Sequence, residues 1–206
     1  MAAGATAAQR AYATIKERIL SGDLPVRARL DMEELARALG VSSMPVRLAL
    51  SLLTWERLVR PGQHTAYEVA LWTASELAEL YEWRGALLSL ALSTAAPGAE
   101  LKRIARTQPY AQAVYSAMRV IEEGANPDLR RAALNADDRL HLARMSEADV
   151  LGDVQGEFEN LMAAIADKSR RASTLIKSYH RRRVQSAALL RDRVALKALP
   201  NNGGSR

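Results

Sequence analysis

A mainly α fold is predicted for this chain of 206 residues, a small head of three helices and one β-hairpin followed by an all-α helical bundle. Three observations predict it. Hydrophobic residues make up 49% of the chain and aromatic residues only 5%, so the core must be built from Leu, Ala, Val and Ile, and an aromatic-rich barrel is disfavoured. Apolar residues recur at intervals of three and four along most of the sequence, as in helices with one buried face. One stretch alone, residues 58–69, reads as strand, turn and strand. The length fits one ordinary domain or two small ones.

The first helical pattern carries Tyr12, Ile15, Ile19 and Leu20, with residues 1–9 ahead of it read as a flexible N-terminus. Ser21-Gly22 closes the helix, since Gly takes the left-handed conformation that ends one. Residues 23–30 read as an extended link. Asp31 with Glu34 has the spacing of a capping box, and Leu35, Ala36 and Leu39 form an apolar stripe up to Gly40. The chain restarts with Ser42-Ser43 as candidate caps and Pro45, tolerated only in a first helical turn; Val46, Ala49, Leu50 and Leu53 give the apolar face. Two short helices joined by a Gly-containing turn, then a hairpin from Leu58-Val59-Arg60 through residues 61–65 to Ala66-Tyr67-Glu68-Val69, predict a winged helix-turn-helix over 10–72.

Thr73 and Glu76 form a second capping-box pair, followed by Leu77, Leu80, Tyr81, Arg84, Leu87 and Leu88 on one face, with Pro97-Gly98 as the stop. Further helical patterns run at about 99–107, 110–123, 128–147, 149–166 and 168–199, with breaks at Pro109, at residues 124–127 and near Gly152. Residues 73–200 therefore read as one helical domain and 201–206 as a flexible tail.

Composition narrows the chemistry. With no cysteine there is no disulfide, thiolate metal site or cysteine nucleophile, so a metal would need His, Asp, Glu or water. No apolar run approaches the ~18 residues that cross a bilayer, and Met1–Ala8 is too short for a signal peptide, so a soluble cytoplasmic chain with no membrane partner is expected. The net charge of +6 is uneven. Residues 1–75 hold nine basic and seven acidic residues, 76–160 nine and fourteen, and 161–206 eleven and two. The surplus thus lies away from the predicted winged helix. Arg181-Arg182-Arg183 opens the most basic stretch; such a run ordinarily marks a solvated face, with pairing to the acidic middle segment or contact with DNA as alternatives.

Ile19-Leu20-Ser21-Gly22, Glu34-Leu35-Ala36 with Leu39-Gly40-Val41-Ser42, Pro45-Val46-Arg47 with Ala49-Leu50, and Leu58-Val59 occur in order. Over residues 10–70 they resemble the DNA-binding domain of the GntR family of bacterial transcription regulators. Independently, the exposed start of the third helix suits the major groove, where Ser42, Ser43, Met44 and Arg47 would face bases or phosphates. Arg27 and Arg29 in the link, Arg60 at the hairpin base and Gln63-His64 at its tip would clamp the backbone or reach the minor groove. Many relatives carry Arg where this chain has Ser43, and FadR-type members often have Arg where it has Glu33, so a different operator is expected.

The helical remainder resembles the FCD-type sensor domain of the FadR subfamily, through Glu79-Leu80-Tyr81-Glu82-Trp83-Arg84, Asp137-Asp138-Arg139-Leu140-His141, Tyr179-His180 and Arg191-Asp192. Many members hold a divalent metal with one Asp and three His, completed by a carboxylate effector. The resemblance implies a zinc, nickel or manganese site at Asp137, His141 and His180, with an incomplete set because Asn202 stands near the fourth position. Asp137 and His141, four residues apart, share a helix face. Arg84 would pair with the effector carboxylate, and Leu88 stands where relatives often have Glu, which makes the pocket less polar. The expected function is a homodimeric, ligand-responsive regulator, a repressor on a palindromic double-stranded DNA operator. The rivals are a helical adaptor whose winged helix binds protein and a metal-dependent hydrolytic enzyme; the latter lacks a Gly-rich phosphate loop and a nucleophile motif.

Overall fold

The computed structural model describes residues 5–62, 66–92 and 98–199. They divide into two compact units, one reaching Leu71 and including the chain from Ala195 on, the other spanning Trp72–Val194. The predicted class is the one found: a winged helix-turn-helix followed by a helical region.

The first unit runs α1 (Ala7–Ser21), β1 (Arg29–Leu30), α2 (Met32–Leu39), α3 (Ser43–Trp55), β2 (Val59–Pro61) and β3 (Tyr67–Val69). α1 begins earlier than expected. Thr6 caps it and Gln9 returns the bond, a reciprocal box that orders residues assigned to a flexible end. Gly22 and Gly40, at φ 87° and 64°, close α1 and α2. Asp31 caps α2 through the N–H groups of Glu33 and Glu34. α1 packs on α3, burying Ile15 and Ile19 with Val46, Leu50 and Leu53. Each such side chain contributes roughly 1.5–3 kcal/mol.

The link at 23–30 is not merely extended. Arg29 and Leu30 form β1, which pairs antiparallel with β3, giving a three-stranded sheet in the order β1-β3-β2. Arg27 makes this possible: at φ 65° it turns the chain while its N–H donates to the Val69 carbonyl. A non-glycine residue in that region costs roughly 1 kcal/mol, and no local pattern announces it.

The second unit contains α4 (Ala74–Ala91), α5 (Ala99–Thr107), α6 (Tyr110–Glu122), α7 (Pro127–Leu151), α8 (Val154–Ala166), α9 (Ala172–Gln185) and α10 (Ala187–Lys197), the last ending beyond the boundary at Val194. Thr73 and Glu76 form their capping box. α4 closes at Leu92, ahead of the expected stop, of which Pro97 lies outside the described residues. α7 continues to Leu151 instead of breaking near 147, because Gly152, at φ 76°, is its only sharp terminator. The helix expected over 168–199 is two. Lys168, at φ 49°, delays its start, and the Ser186 N–H bonds back to the Arg182 and Arg183 carbonyls and closes α9. The buried positions Arg183, Ala187, Leu190 and Val194 keep helical spacing across that break, so periodicity could not reveal it. Leu88, Ile104, Val114, Met118, Phe158, Leu161 and Ile176 anchor the core. Among the described residues no single helix is long and apolar enough to cross a membrane.

Candidate nucleic-acid interface and interior site

At the start of α3, Ser42 has extended backbone and makes no side-chain cap bond. Ser42, Ser43, Met44 and Arg47 are all exposed, while Val46, Ala49, Leu50 and Leu53 hold the opposite face in the core. The helix therefore presents its first turn outward on a rigid mount. Around Arg47 the outward face is apolar, with Met44 before it and Leu48, Leu52 and Trp55 after it each more than half exposed. In a major groove such side chains contact thymine methyl groups, whereas Arg47 suits a guanine edge or a phosphate.

The sheet adds a second basic face. Glu68 on β3 stands opposite Arg29 on β1 and Arg60 on β2, so these three residues form one cross-strand row. Arg60 Nη2 donates to Glu68 Oε1 at 2.7 Å. Arg27 and Arg29 are exposed beside it. Gln63 and His64 lie outside the described residues.

The interior of the second unit is charged. The Asp137 carboxylate, 1% exposed, accepts from Arg84 Nε at 2.6 Å and Arg144 Nη2 at 2.7 Å on Oδ1, and from Arg84 Nη2 at 3.1 Å on Oδ2. Arg84 Nη2 also donates to Glu122 Oε1. Further along α7, Glu147 accepts from Arg183 Nε at 2.7 Å, from Tyr81 at 2.6 Å and from Tyr110. Arg183 continues to Glu157 at 3.1 Å and to the Tyr110 hydroxyl at 2.8 Å.

Burial alone would raise the Asp137 carboxyl, but the two guanidinium groups hold it below its ordinary value. Burial pushes Glu122 up to about 7 against the pull of Arg84. Arg84 Nη1 and Arg144 Nη1 are buried without a hydrogen-bond partner. Burial also pushes His180 down to about 3; its Nδ1 lies 2.9 Å from the Ile176 carbonyl, as a neutral donor would. α4 approaches so closely there that a Cβ on Gly85 would fall 2.9 Å from His180 Cγ.

Residues 7–69 match the family model for bacterial regulatory proteins of the gntR family. The N-terminal domain is a gntR domain. Over 81 residues the chain is 30% identical to YdhC, an uncharacterised HTH-type transcriptional regulator of Bacillus subtilis (strain 168), a match covering 39% of this chain and 36% of that protein. The chain thus matches little more than a third of that relative's length. Across the whole fold it is similar to a transcriptional regulator GntR from Rhodococcus sp. RHA1, with TM-score 0.71, 21% identity, and 94% of this chain and 99% of that one covered. It is also similar to McbR/YncC of E. coli, with TM-score 0.65, 20% identity, and 91% and 98% covered.

In the gntR domain, then, each described residue expected at DNA is exposed. The interior departs from expectation. Asp137, His141 and His180 do not form a metal centre, and no group of three or more His, Asp or Glu suited to an ion occurs among the described residues. A divalent ion on Asp137 would sit beside two guanidinium groups, which already supply the positive charge. The residues do not fit a metal, and Asn202 lies outside the described residues. Arg84 is buried and paired as a helix-interior arginine should be, but its partners are Asp137 and Glu122.

Arg144, Glu122 and Glu147 escaped the sequence reading. Arg144 lies seven residues after Asp137, two turns along one helix face, and that spacing was the available signal. The basic run is not a solvated face throughout. Arg181 is exposed, but Arg182 bonds Glu157 at 3.0 Å and Arg183 is fully buried, so the run pairs with the acidic middle segment.

Proposed function

We propose that this chain is a ligand-responsive DNA-binding transcription regulator that binds a palindromic operator as a homodimer. The observation that carries the reading is the gntR domain's exposed α3 start, Ser42, Ser43, Met44 and Arg47, mounted beside the arginine-bearing sheet. Arg27, Arg29 and Arg60 hold phosphates, and Gln63 and His64 are assigned to the adjacent groove by the sequence alone. Two domains on two half-sites give the specificity that one short helix lacks. The second unit is an FCD-type sensor of the FadR subfamily, in which a small carboxylate metabolite pairs with Arg84. The chain acts as a repressor, released when the ligand changes the spacing of the two DNA-binding domains.

The test is fluorescence anisotropy of the purified chain on DNA from its own upstream region across a salt series. Specific binding whose log–log slope approaches roughly −0.9 per neutralised phosphate is expected, and the absence of any salt-sensitive specific binding rejects the reading. The apolar face of α3 favours a second reading, an adaptor that docks protein there. Its mark would be partner binding indifferent to salt.

A further inference from the structure

The outward face of α3 is poor in hydrogen-bonding groups. The helix carries a single charged residue, Arg47, and no acidic one. Thr54 turns its hydroxyl onto the Leu50 carbonyl at 2.8 Å. What α3 offers outward is carbon: Met44 is 58% and Leu48 51% exposed, on the first two turns of the helix that presents its start to a partner. They stand four residues apart and so lie one above the other, with Arg47 beside them and Val46, Ala49 and Leu50 holding the opposite face in the core. We propose that Met44 and Leu48 read the operator through the C5 methyl groups of thymine, at positions next to the contact made by Arg47.

Of the four bases only thymine carries a methyl group on the floor of the major groove; the others present nitrogen and oxygen edges that a thioether or an isobutyl group leaves without a partner. A Met or Leu side chain seated on guanine O6 would strip water from an acceptor and return no hydrogen bond, which weakens binding. Seated on a thymine methyl it removes apolar surface from water on both partners. The same two side chains therefore favour thymine and disfavour its alternatives. Position along the helix confines the reading to these two. Leu52 and Trp55 lie about 12 and 16 Å beyond Met44 along the axis, past the N-terminal turns that reach base edges. Duplex DNA suits this face better than an apolar protein surface, because α3 has no carboxylate to repel phosphates and Arg47 and the exposed Ser43 flank the pair.

The inference rests on the regulator reading of the gntR domain and adds what the operator must contain. A methyl contact is apolar and releases no counterion. Salt should therefore weaken binding to every duplex while leaving the preference for thymine unchanged. Loss of one contacted methyl should weaken binding roughly fourfold, the equivalent of about 0.8 kcal/mol per buried carbon.

The full chain is first used to select its tightest duplex from a randomised pool, and that duplex is then synthesised twice, with thymine throughout and with deoxyuridine in its place. Uracil keeps every hydrogen bond of the pair with adenine and lacks only the methyl. In fluorescence anisotropy the wild type should bind the thymine duplex at least about fourfold more tightly. Met44→Ala and Leu48→Ala, both at exposed positions and both compatible with a helix, should each bind more weakly and reduce that ratio, and the double variant should bring it to one. Trp55→Ala, at the far end of α3, should keep it. Failure to select any specific duplex rejects the regulator reading itself and this inference with it. Specific binding with equal affinity for both duplexes, a ratio retained by the double variant, or a ratio lost equally in Trp55→Ala overturns this inference and leaves the regulator reading standing.

Discussion

The two units use arginine in opposite ways. In the gntR domain Arg27, Arg29, Arg47 and Arg60 are exposed, and of these Arg60 rests on a carboxylate, Glu68, that is itself partly open to solvent. In the helical unit Arg84, Arg144 and Arg183 are at most 4% exposed and each is held by carboxylates. An exposed guanidinium keeps its hydration and adds little to folding, so it is free to meet a phosphate. A buried one has given up water and depends on its partner, so loss of either member leaves an uncompensated charge. Surface cations thus report on partners, and interior ones on the integrity of the bundle.

The sharpest challenge to that contrast is a pair of single substitutions. Arg183→Met should lower the unfolding free energy by about 3–5 kcal/mol, since Glu147 would remain buried with its charge unanswered. Chemical denaturation followed by circular dichroism measures it, and a loss near zero would place Arg183 with the surface arginines. Arg47→Ala should do the reverse: an unchanged denaturation midpoint, with specific DNA affinity reduced roughly ten- to hundredfold in anisotropy titrations.

Acidity separates the buried groups from one another. His180 has its folded pKa depressed from 6.5 to about 3, so its contribution is intact above about 6.5 and is lost as pH falls. His141 is shifted in the same direction by burial. Glu122 is raised from 4.5 to about 7, so its contribution is present below about 4.5 and is lost as pH rises through 7. Between pH 5 and 6.5 the two slopes, each about 1.4 kcal/mol per pH unit for a single group at full effect, oppose each other. Urea midpoints of the wild type should vary little there. Glu122→Gln should make stability rise with pH, and His180→Gln should make it fall.

The smallest expected effect concerns helix caps. Thr73→Ala removes a reciprocal box and should cost about 1 kcal/mol, whereas Ser42→Ala, with no side-chain cap bond to lose, should leave thermal stability unchanged. If Ser42→Ala nevertheless weakens DNA binding, the first turn of α3 is reserved for the partner. Equal destabilisation by the two would make Ser42 an ordinary cap.

The gntR domain was legible because its signals are local. Gly22, Gly40, Asp31 and Pro45 punctuate helices through their own backbone chemistry, and Pro61-Gly62 between Leu58-Val59 and Ala66-Tyr67 is a turn signal between two short strands. β1 was not legible, since Arg29 and Leu30 become a strand only when Arg27 turns the chain onto β3. The break at Ser186 was hidden for a related reason: the apolar repeat runs straight through it.

In the helical unit the identities of Arg84 and Asp137 suggested an interior site, but not which partners they would find. Asp137 and His141 share a helix face, a geometry that serves a metal or a guanidinium equally. Arg144 decided between them from the same helix, and Arg84, which shares Asp137 with it, comes from α4 packed against α7. Likewise Arg181, Arg182 and Arg183 look alike in sequence, and only rotation about α9 sends one to solvent and one to Glu147.

The sequence by itself determined the helix-rich class, the winged head, its exposed arginine-bearing surface and the absence of cysteine chemistry. Those follow from periodicity, capping and composition, which act over a few residues. Tertiary structure alone decided that the net positive charge of the C-terminal stretch is partly consumed inside the bundle. It also decided that Asp137 belongs to arginines and that Glu122 sits on Arg84 beneath an open cleft. Burial sets the strength of a charge and the identity of its partner, and burial is a property of helices packed together.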